Sequence, residues 1–163
     1  MLEVERRSGT AAVEVRLEAP QTADARWCLD QYFRELAERF ENGFDPAKSN
    51  PASDDDMTPP AGYLVLARID GDPVGCGVLK RKDQTTAEIK RMWTAPSIRG
   101  CGIARQVLQA LESIARQVGV TMLQLETNRT LKEAQALYRK SGYREVDRFN
   151  DEPYAHHWFE KKL

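Results

Sequence analysis

Apolar side chains recur along this chain with two periods that alternate from one segment to the next. In residues 22–40 and 103–118 they recur at steps of three and four, which is the spacing of one face of an amphipathic helix. A shorter helix is predicted to begin at Thr130, because Thr130 and Glu133 have the spacing of a capping box, and to end at Gly142. We therefore expect three helices.

Apolar and β-branched runs between these helices predict strands. The expected strands cover residues 13–17, 62–69, 73–80, 86–94, 120–126, 143–149 and 157–162. Asp70-Gly71 is a hairpin signal between the second strand and the third, and a basic turn at 81–83 joins the third to the fourth. These three strands are expected to form an antiparallel meander.

Residues 41–60 have no periodicity. Their sequence, ENGFDPAKSNPASDDDMTPP, contains four prolines and three consecutive aspartates, so a long acidic loop is predicted. The whole pattern indicates an α+β protein in which helices pack on a mixed sheet. We expect a single domain over residues 1–163, with its core from about residue 11 onward.

The composition restricts the partners of the chain. It has 24 Lys and Arg against 25 Asp and Glu, so no overall positive charge attracts it to nucleic acid or to an anionic membrane. No apolar run approaches the ~20 residues that span a bilayer, and the first residues lack the apolar core of a signal peptide. Three widely spaced cysteines favour a reducing compartment. A cytoplasmic protein that binds neither nucleic acid nor membrane is expected.

The segment between the fourth strand and the long helix carries the clearest chemical signal. It reads Arg99-Gly100-Cys101-Gly102-Ile103-Ala104-Arg105. Two glycines remove Cβ atoms where a helix begins, and the first N–H groups of a helix have no intrahelical acceptor. Those amides and the positive end of the helix dipole favour a phosphate or a pyrophosphate. A glycine-rich turn that binds nothing is the alternative.

Two common phosphate-binding loops do not fit this segment. A dinucleotide-binding loop needs a further glycine or alanine where this chain has Arg105, and it follows a fully buried strand. The strand here carries Glu88, Lys90 and Arg91 instead. The Walker loop needs Gly-Lys-Ser or Gly-Lys-Thr, which does not occur in the sequence. A different kind of cradle is therefore indicated.

Two runs of sequence resemble the GNAT superfamily of acetyl-CoA-dependent N-acetyltransferases. In the first, AEIKRMWTAP at 87–96 is followed by Arg99-x-x-Gly102-x-Ala104, which matches the family's Gln/Arg-x-x-Gly-x-Gly/Ala motif. The second combines ETN at 126–128 with ALYRKSGY at 136–143. The tail at 148–163 is similar to a bacterial subgroup. The resemblance implies a GNAT-like mixed, mostly antiparallel sheet of about six to seven strands, flanked by helices.

The resemblance also implies where acetyl-CoA binds. Pantetheine would pair with the end of the fourth strand, and the pyrophosphate would lie on the amides that follow. The cofactor-binding residues implied are Met92, Trp93, Thr94, Arg99, Gly100, Cys101, Gly102, Ile103, Ala104 and Arg105. A backbone N–H near Met92 or Trp93 would stabilise the tetrahedral oxyanion. Many members have an Asn where this chain has Leu131, and Asn128 is expected to take over its contact with the cofactor.

Acetyl transfer to an amine needs one group that removes a proton from the amine and one that protonates the departing thiolate. The resemblance assigns the second task to Tyr138. Glu88 and Glu126 are the candidates for the first task, and a water relay is the third alternative. Glu88 is favoured because, in a regular strand, it shares a face with Met92 and Thr94.

Cysteine and histidine are two further residue types in this chain that can be nucleophiles or metal ligands. Cys101 is expected to contribute its N–H to the cradle and not to act as a nucleophile. His156 and His157 are adjacent, and neighbouring residues on a strand face opposite sides, so the pair is not suited to chelate one ion. No metal is expected.

The function predicted on these grounds is acetyl transfer from acetyl-CoA to a primary amine of a small molecule or peptide, by a monomer or a homodimer. A CoA-binding sensor without turnover and the transfer of another acyl group are the alternatives. Residues 88–105 are basic where the CoA phosphates would lie, whereas residues 41–60 are acidic. The acidic loop is a candidate wall of the acceptor site, which would favour a cationic amine.

Overall fold

The computed structural model describes residues 12–50 and 52–163. Within these residues the chain forms seven strands and three α-helices. The strands are Val13–Leu17 (β1), Gly62–Ile69 (β2), Asp72–Arg81 (β3), Thr86–Thr94 (β4), Met122–Thr127 (β5), Arg144–Val146 (β6) and His157–Lys162 (β7). The helices are Ala23–Arg39 (α1), Ile103–Gln117 (α2) and Lys132–Lys140 (α3). The predicted α+β class and the predicted meander of β2, β3 and β4 are confirmed.

The strands form one sheet in the order β1-β2-β3-β4-β5-β7-β6. Neighbouring strands are antiparallel except β4 and β5, which run parallel because α2 carries the chain back between them. The sheet separates two apolar layers. On one face, Val107 and Leu111 of α2 pack on Val65 and Leu79, and on the other face Cys28 of α1 belongs to the second layer.

The parallel strands β4 and β5 are paired only where they begin. Ladder partners run from Thr86 opposite Met122 to Glu88 opposite Gln124. Beyond these residues β4 follows β3 as far as Thr94, while β5 follows β7 as far as Thr127. The two strands therefore diverge, and a wedge opens in the middle of the sheet.

A β-bulge shapes the second half of β4. Cys76 lies opposite Trp93 and Val78 lies opposite Lys90, so Gly77 alone faces two residues of β4. Arg91, one of the two, has a φ of 56°, which is unusual for a residue with a side chain. A Cβ on Gly77 would lie within 2.9 Å of the Met92, Val107 and Leu111 side chains, so a larger residue there would displace the packing of α2.

Two of the predicted boundaries that differ from the structure do so because side chains make other contacts. The capping box at Thr130 is wrong: α3 begins after Leu131, the Thr130 hydroxyl donates to Asn128 Oδ1 at 2.8 Å, and Glu133 pairs with Arg39. The sixth strand ends at Val146 and not at residue 149. Asn150 turns the chain there, because its Oδ1 accepts hydrogen bonds from the Trp158 indole and from a backbone N–H.

The acidic loop at 41–60 is anchored to the rest of the protein. It contains short 3-10 turns at Pro46–Lys48 and Asp55–Met57, and the Met57 side chain is buried in the layer on the α1 side. Asp54 forms an ion pair with Arg26 at 2.6 Å. The loop therefore has a defined position at the edge of the site described below.

No helix in the described part of the chain is long and apolar enough to cross a membrane.

Candidate functional site

The larger of two adjoining cavities lies where the end of β4, the start of α2 and one side of α3 meet. It has a volume of about 510 Å³. Its wall contains all the cofactor-binding residues implied by the sequence except Cys101 and Asn128; they are Met92, Trp93, Thr94, Arg99, Gly100, Gly102, Ile103, Ala104 and Arg105. We call this cavity the groove.

The glycine-rich cradle leaves open space at one end of the groove. Gly100 and Gly102 have φ values of 87° and 81°, and a Cβ added at either position would meet no atom within 4 Å. The first helical hydrogen bond of α2 runs from the Gln106 N–H to the Gly102 carbonyl. The three N–H groups of Ile103 to Arg105 therefore lack an intrahelical acceptor, as an anion site requires. The N–H of the exposed Cys101, which was also expected to face the cradle, is not free in this way, because it donates a hydrogen bond to the Ile98 carbonyl.

Arg99 connects the cradle to two other elements. Its guanidinium donates to the Thr94 carbonyl at 3.0 and 3.2 Å and pairs with Glu35 of α1. Arg105 is exposed at the rim of the groove. The charge of Arg99 is thus partly neutralised by Glu35, whereas the Arg105 side chain is exposed to solvent.

The smaller cavity continues from the groove between β4, β5, α1 and two loops. It has a volume of about 110 Å³. Its aromatic side chains are Tyr32, Phe33, Phe40, Phe44, Tyr138 and Tyr154, and its charged side chains are Lys90, Arg91, Glu126 and Glu152. Both cavities are lined by Tyr32, Leu36, Met92, Leu131, Ala134 and Tyr138. They therefore meet at the wedge between β4 and β5.

Glu126 at the end of β5 is a buried carboxylate in the smaller cavity. Its side chain is 7% exposed; Oε1 lies 3.6 Å from Lys90 Nζ and accepts a hydrogen bond from Asn150 at 3.3 Å. Oε2 has no partner. Burial raises the pKa of Glu126, and the attraction of Lys90 only partly opposes this effect.

Glu152 provides a second carboxylate to the same cavity. Its Oε1 accepts hydrogen bonds from the Ser49 hydroxyl and from the Asn50 N–H, and its Oε2 is buried without a partner. Among the residues that the structure describes, Oε2 of Glu126 and Oε2 of Glu152 are the two buried side-chain polar atoms without a hydrogen bond. Both oxygens are closed off from solvent, so each lacks the donor that a buried oxygen normally has.

Glu88 occupies a different position from Glu126. It is 8% exposed, and it does not belong to the described residues that line either cavity. The face assigned to Glu88 from a regular strand is wrong, because the bulge after Lys90 reverses the alternation of side chains. Glu88 and Lys90 face the α1 side, whereas Met92 packs in the layer on the α2 side.

Tyr138 on α3 lies at the junction of the cavities. Its side chain is 6% exposed, and its ring packs at centroid distances of 5.9 Å from Tyr143 and 6.1 Å from Phe159. Its hydroxyl makes no hydrogen bond within the described chain. Burial, reinforced by the negative charge of Glu126, raises the pKa of Tyr138, so the phenol is protonated at neutral pH.

The sequence did not point to Tyr32, which lines both cavities as Tyr138 does. Burial raises its pKa, and the positive charge of Arg91 opposes this effect. The one available signal was position: Tyr32 lies four residues before Leu36, beside the apolar stripe of α1. Glu152 and Tyr154 were also missed, because they come from an irregular loop far along the chain.

Asn128 lies apart from the other residues expected to bind the cofactor. Its side chain donates to the Tyr154 carbonyl at 2.7 Å and accepts from the Thr130 N–H at 3.0 Å. It lines the smaller cavity and not the groove. Leu131, where many GNAT members have Asn, lines both cavities.

The acidic loop lines the smaller cavity, but not through its acidic residues. Phe44, Pro46, Ser49 and Asn50 form this part of the wall. The loop carboxylates have other contacts: Asp54 pairs with Arg26 and Glu41 pairs with Arg129. The expected acidic wall is therefore wrong, and the carboxylates of the cavity come from Glu126 and Glu152.

The two adjacent histidines contact separate groups. His156 Nδ1 accepts a hydrogen bond from the Arg129 N–H at 3.1 Å, and His157 Nδ1 lies 2.7 Å from Glu145 Oε2. In the part of the chain that the structure describes, no group of three or more His, Cys, Asp or Glu side chains is arranged to bind a metal ion.

Comparison with known proteins agrees with this geometry. The sequence pattern of the acetyltransferase (GNAT) family matches residues 29–143. A protein of Azospirillum brasilense named IAA acetyltransferase is 35% identical over 127 residues, which cover 77% of this chain and 81% of that protein.

Solved structures agree at the level of the fold. An acetyltransferase of the GNAT family from Staphylococcus aureus Mu50 superposes with a TM-score of 0.78 at 17% identity, covering 93% of this chain and 99% of the other. A GNAT family acetyltransferase from Elizabethkingia anophelis, solved with acetyl-CoA bound, has a TM-score of 0.66 at 20% identity and covers 93% and 98% of the two chains.

Proposed function

Because the chain belongs to the acetyltransferase (GNAT) family and is an acyltransferase, we propose that it transfers acetyl from acetyl-CoA directly to a primary amine. The observation that carries this proposal is the meeting of two cavities at Met92 and Tyr138. The groove would bind acetyl-CoA and the smaller cavity would bind the amine. Acetyl donor and acceptor would then meet where β4 and β5 diverge.

The described residues fit acetyl-CoA. Its pyrophosphate would lie against the free N–H groups of Ile103, Ala104 and Arg105, in the space that the missing Cβ atoms of Gly100 and Gly102 leave. The pantetheine amides would pair with the edge of β4 that β5 leaves free beyond Glu88, as an added strand pairs with a sheet.

We assign the removal of the amine proton to Glu126. It lines the acceptor cavity, and Oε2 lacks a partner that would compete with an ammonium donor. A raised pKa makes a carboxylate a better proton acceptor than an ordinary glutamate. Glu88 and a water relay stay as alternatives, but Glu88 has less support because it is outside the cavity lining.

We assign the protonation of the leaving group to Tyr138. The neutral amine nitrogen would attack the thioester carbon, and a backbone N–H near Met92 or Trp93 would stabilise the oxyanion. As the carbon–sulfur bond breaks, the thiolate would take the proton of the Tyr138 hydroxyl, and CoA would leave as the thiol. The proton lost by the ammonium would pass to Glu126, and exchange with solvent would restore both groups.

The release of CoA thiol in the presence of a panel of amines tests this proposal. Polyamines, amino acids and peptides should be assayed with acetyl-, propionyl- and succinyl-CoA, and the acetylated amine identified by mass spectrometry. We expect amine-dependent release with acetyl-CoA. A purified, folded protein that does not bind acetyl-CoA would contradict the proposal.

A further inference from the structure

Arg91 lines the smaller cavity in an unusual backbone conformation. It belongs to the bulge of β4, where its backbone has a φ of 56°. Its guanidinium lies 5.0 Å from the centre of the Phe33 ring, and Nη1 lies 3.8 Å from the Met57 sulfur. Strained backbone of this kind is often found at functional sites.

The guanidinium of Arg91 has no carboxylate partner. Within residues 12–50 and 52–163, no Asp or Glu oxygen lies within the 4.0 Å of an ion pair with it. Neighbouring cations differ: Lys90 lies 3.6 Å from Glu126, Arg26 lies 2.6 Å from Asp54, and Arg99 pairs with Glu35. Burial lowers the pKa of Arg91 despite the negative charges of Asp56 and Asp54, which lie beyond ion-pair distance, so its charge carries a desolvation cost. An anion in the cavity would offset that cost.

The wall next to Arg91 is aromatic. Phe33 and Phe44 are stacked, with ring centres 5.8 Å apart and planes 12° apart, and Phe44 lies 4.8 Å from Tyr154. Phe40 contacts both Phe44 and Tyr154. Such a surface favours contact with an apolar or aromatic group.

The opposite charge lies elsewhere in the same cavity. The unpartnered oxygens of Glu126 and Glu152 can accept hydrogen bonds from an ammonium group, which has three N–H donors. The cavity thus combines two free carboxylate oxygens, an aromatic wall and an unpaired guanidinium. A polycation would pair with the carboxylate oxygens but would make no use of the aromatic wall or the guanidinium.

We propose that the acceptor is an amino acid or a related amino-carboxylate with an aromatic or apolar body. Its amino group contacts Glu126 and Glu152, its body lies on Phe33 and Phe44, and its carboxylate pairs with Arg91. This inference rests on the proposed acetyl transfer and narrows its substrate class.

Matched pairs of amines that differ only in the carboxylate test the inference. L-Phenylalanine is compared with phenethylamine, and 4-(aminomethyl)benzoate with benzylamine, which covers a short and a long separation of the two groups. We expect the carboxylate-bearing member of at least one pair to have a kcat/KM higher by about tenfold or more, because only that member can pair with Arg91; a tenfold change corresponds to about 1.4 kcal/mol.

Variants of Arg91 link the preference to this side chain. Arg91→Asn should remove the preference by raising the KM of the carboxylate member about tenfold, and Asn tolerates the left-handed backbone. The KM of acetyl-CoA should not change. Arg91→Lys keeps the charge and should retain part of the preference. Arg34→Gln removes a charge from the exposed face of α1 and should leave all values unchanged.

Three outcomes would overturn the inference. One is a wild-type enzyme that uses phenethylamine and benzylamine as well as their carboxylates. Another is an Arg91→Asn variant in which KM rises equally for both members of a pair. The third is acetylation of polyamines or peptides alone, which would leave acetyl transfer to an amine intact. If acetyl-CoA binds but no amine of any class is acetylated, the proposed function itself fails.

Discussion

At the scale of single residues, Glu88 and Glu126 make the clearest contrast. Both are buried, but Glu126 alone lines the cavity that would receive the amine. The sequence favoured the other carboxylate, because alternation along a regular strand puts Glu88 on the face of Met92. A bulge of one residue cancels that argument, and nothing in the local sequence announces the bulge.

The pH dependence of kcat/KM should identify the base. Glu126 must be ionised to accept a proton, and burial raises its pKa above the ~4.3 of a free glutamate. Activity should therefore increase with pH through a limb above that value. Glu126→Gln should lower kcat/KM by about 10² or more and remove the limb, whereas Glu88→Gln should keep it. Equal and mild losses in both variants would point to a water relay instead.

Tyr138 and Tyr143 have neighbouring rings, so the effects of removing each hydroxyl can be compared. The Tyr138 hydroxyl is without a hydrogen bond in the described chain, so Tyr138→Phe should change the free energy of unfolding by less than about 0.5 kcal/mol while kcat falls about 10²-fold. The Tyr143 hydroxyl donates to Glu112 at 2.7 Å. Tyr143→Phe should therefore lose roughly 1.5–3 kcal/mol of stability and keep kcat.

Chemical denaturation and steady-state kinetics on both tyrosine variants measure these effects. A Tyr138→Phe enzyme with normal kcat would remove Tyr138 from the proton transfer.

At the scale of elements, most of the strands and helices were predicted from the sequence. β1, β2, β4 and β7 have the predicted limits, because their apolar runs are bounded by turn residues. Those signals are local. The capping box at Thr130 failed because Glu133 has a stronger partner in Arg39, which is distant in sequence. The smaller cavity could not be predicted for the same reason, because Glu152 and Tyr154 approach it through contacts with Ser49 and Asn128.

The role of the cradle at the start of α2 can be tested by substituting two glycines that have the same left-handed backbone conformation. Gly102 and Gly119, at opposite ends of the helix, have φ values of 81° and 86°, and both would direct a Cβ into open space. Valine at either position should cost about 1–2 kcal/mol of stability. Gly102→Val should abolish acetyl-CoA binding in calorimetry, because its side chain fills the cradle. Gly119→Val should bind normally, and equal binding by both would mean that the cradle does not hold the pyrophosphate.

At the scale of the whole molecule, ion pairs join elements that are distant in sequence around the groove. Arg39 of α1 contacts Glu133 of α3, and Glu35 of α1 contacts Arg99 next to the cradle. The helix α1, which lines the smaller cavity, is thus connected to both sides of the groove. Binding of acetyl-CoA should consequently stabilise the folded chain as one unit.

Thermal unfolding should report that stabilisation. Acetyl-CoA at a hundred times its Kd should add about 2.7 kcal/mol, which for a chain of this size raises Tm by roughly 5–11 °C in one transition. Gly102→Val should show no such shift. Two transitions, of which only one moves, would show that the part around the groove unfolds separately.

The bulge in β4 also determines how the chain tolerates changes of length. The first half of the strand gives Ile89 to the layer on the α2 side, and the second half gives Trp93 to the layer on the α1 side. Because Arg91 is the extra residue of the bulge, removing it would leave every side chain from Met92 onward in its present layer and would make the alternation regular. A one-residue deletion within β7, which pairs with β5 without a bulge, would instead move the side chains on one side of the deletion to the opposite face of the sheet. One-residue deletions should therefore disturb the packing less near Arg91 than within β7.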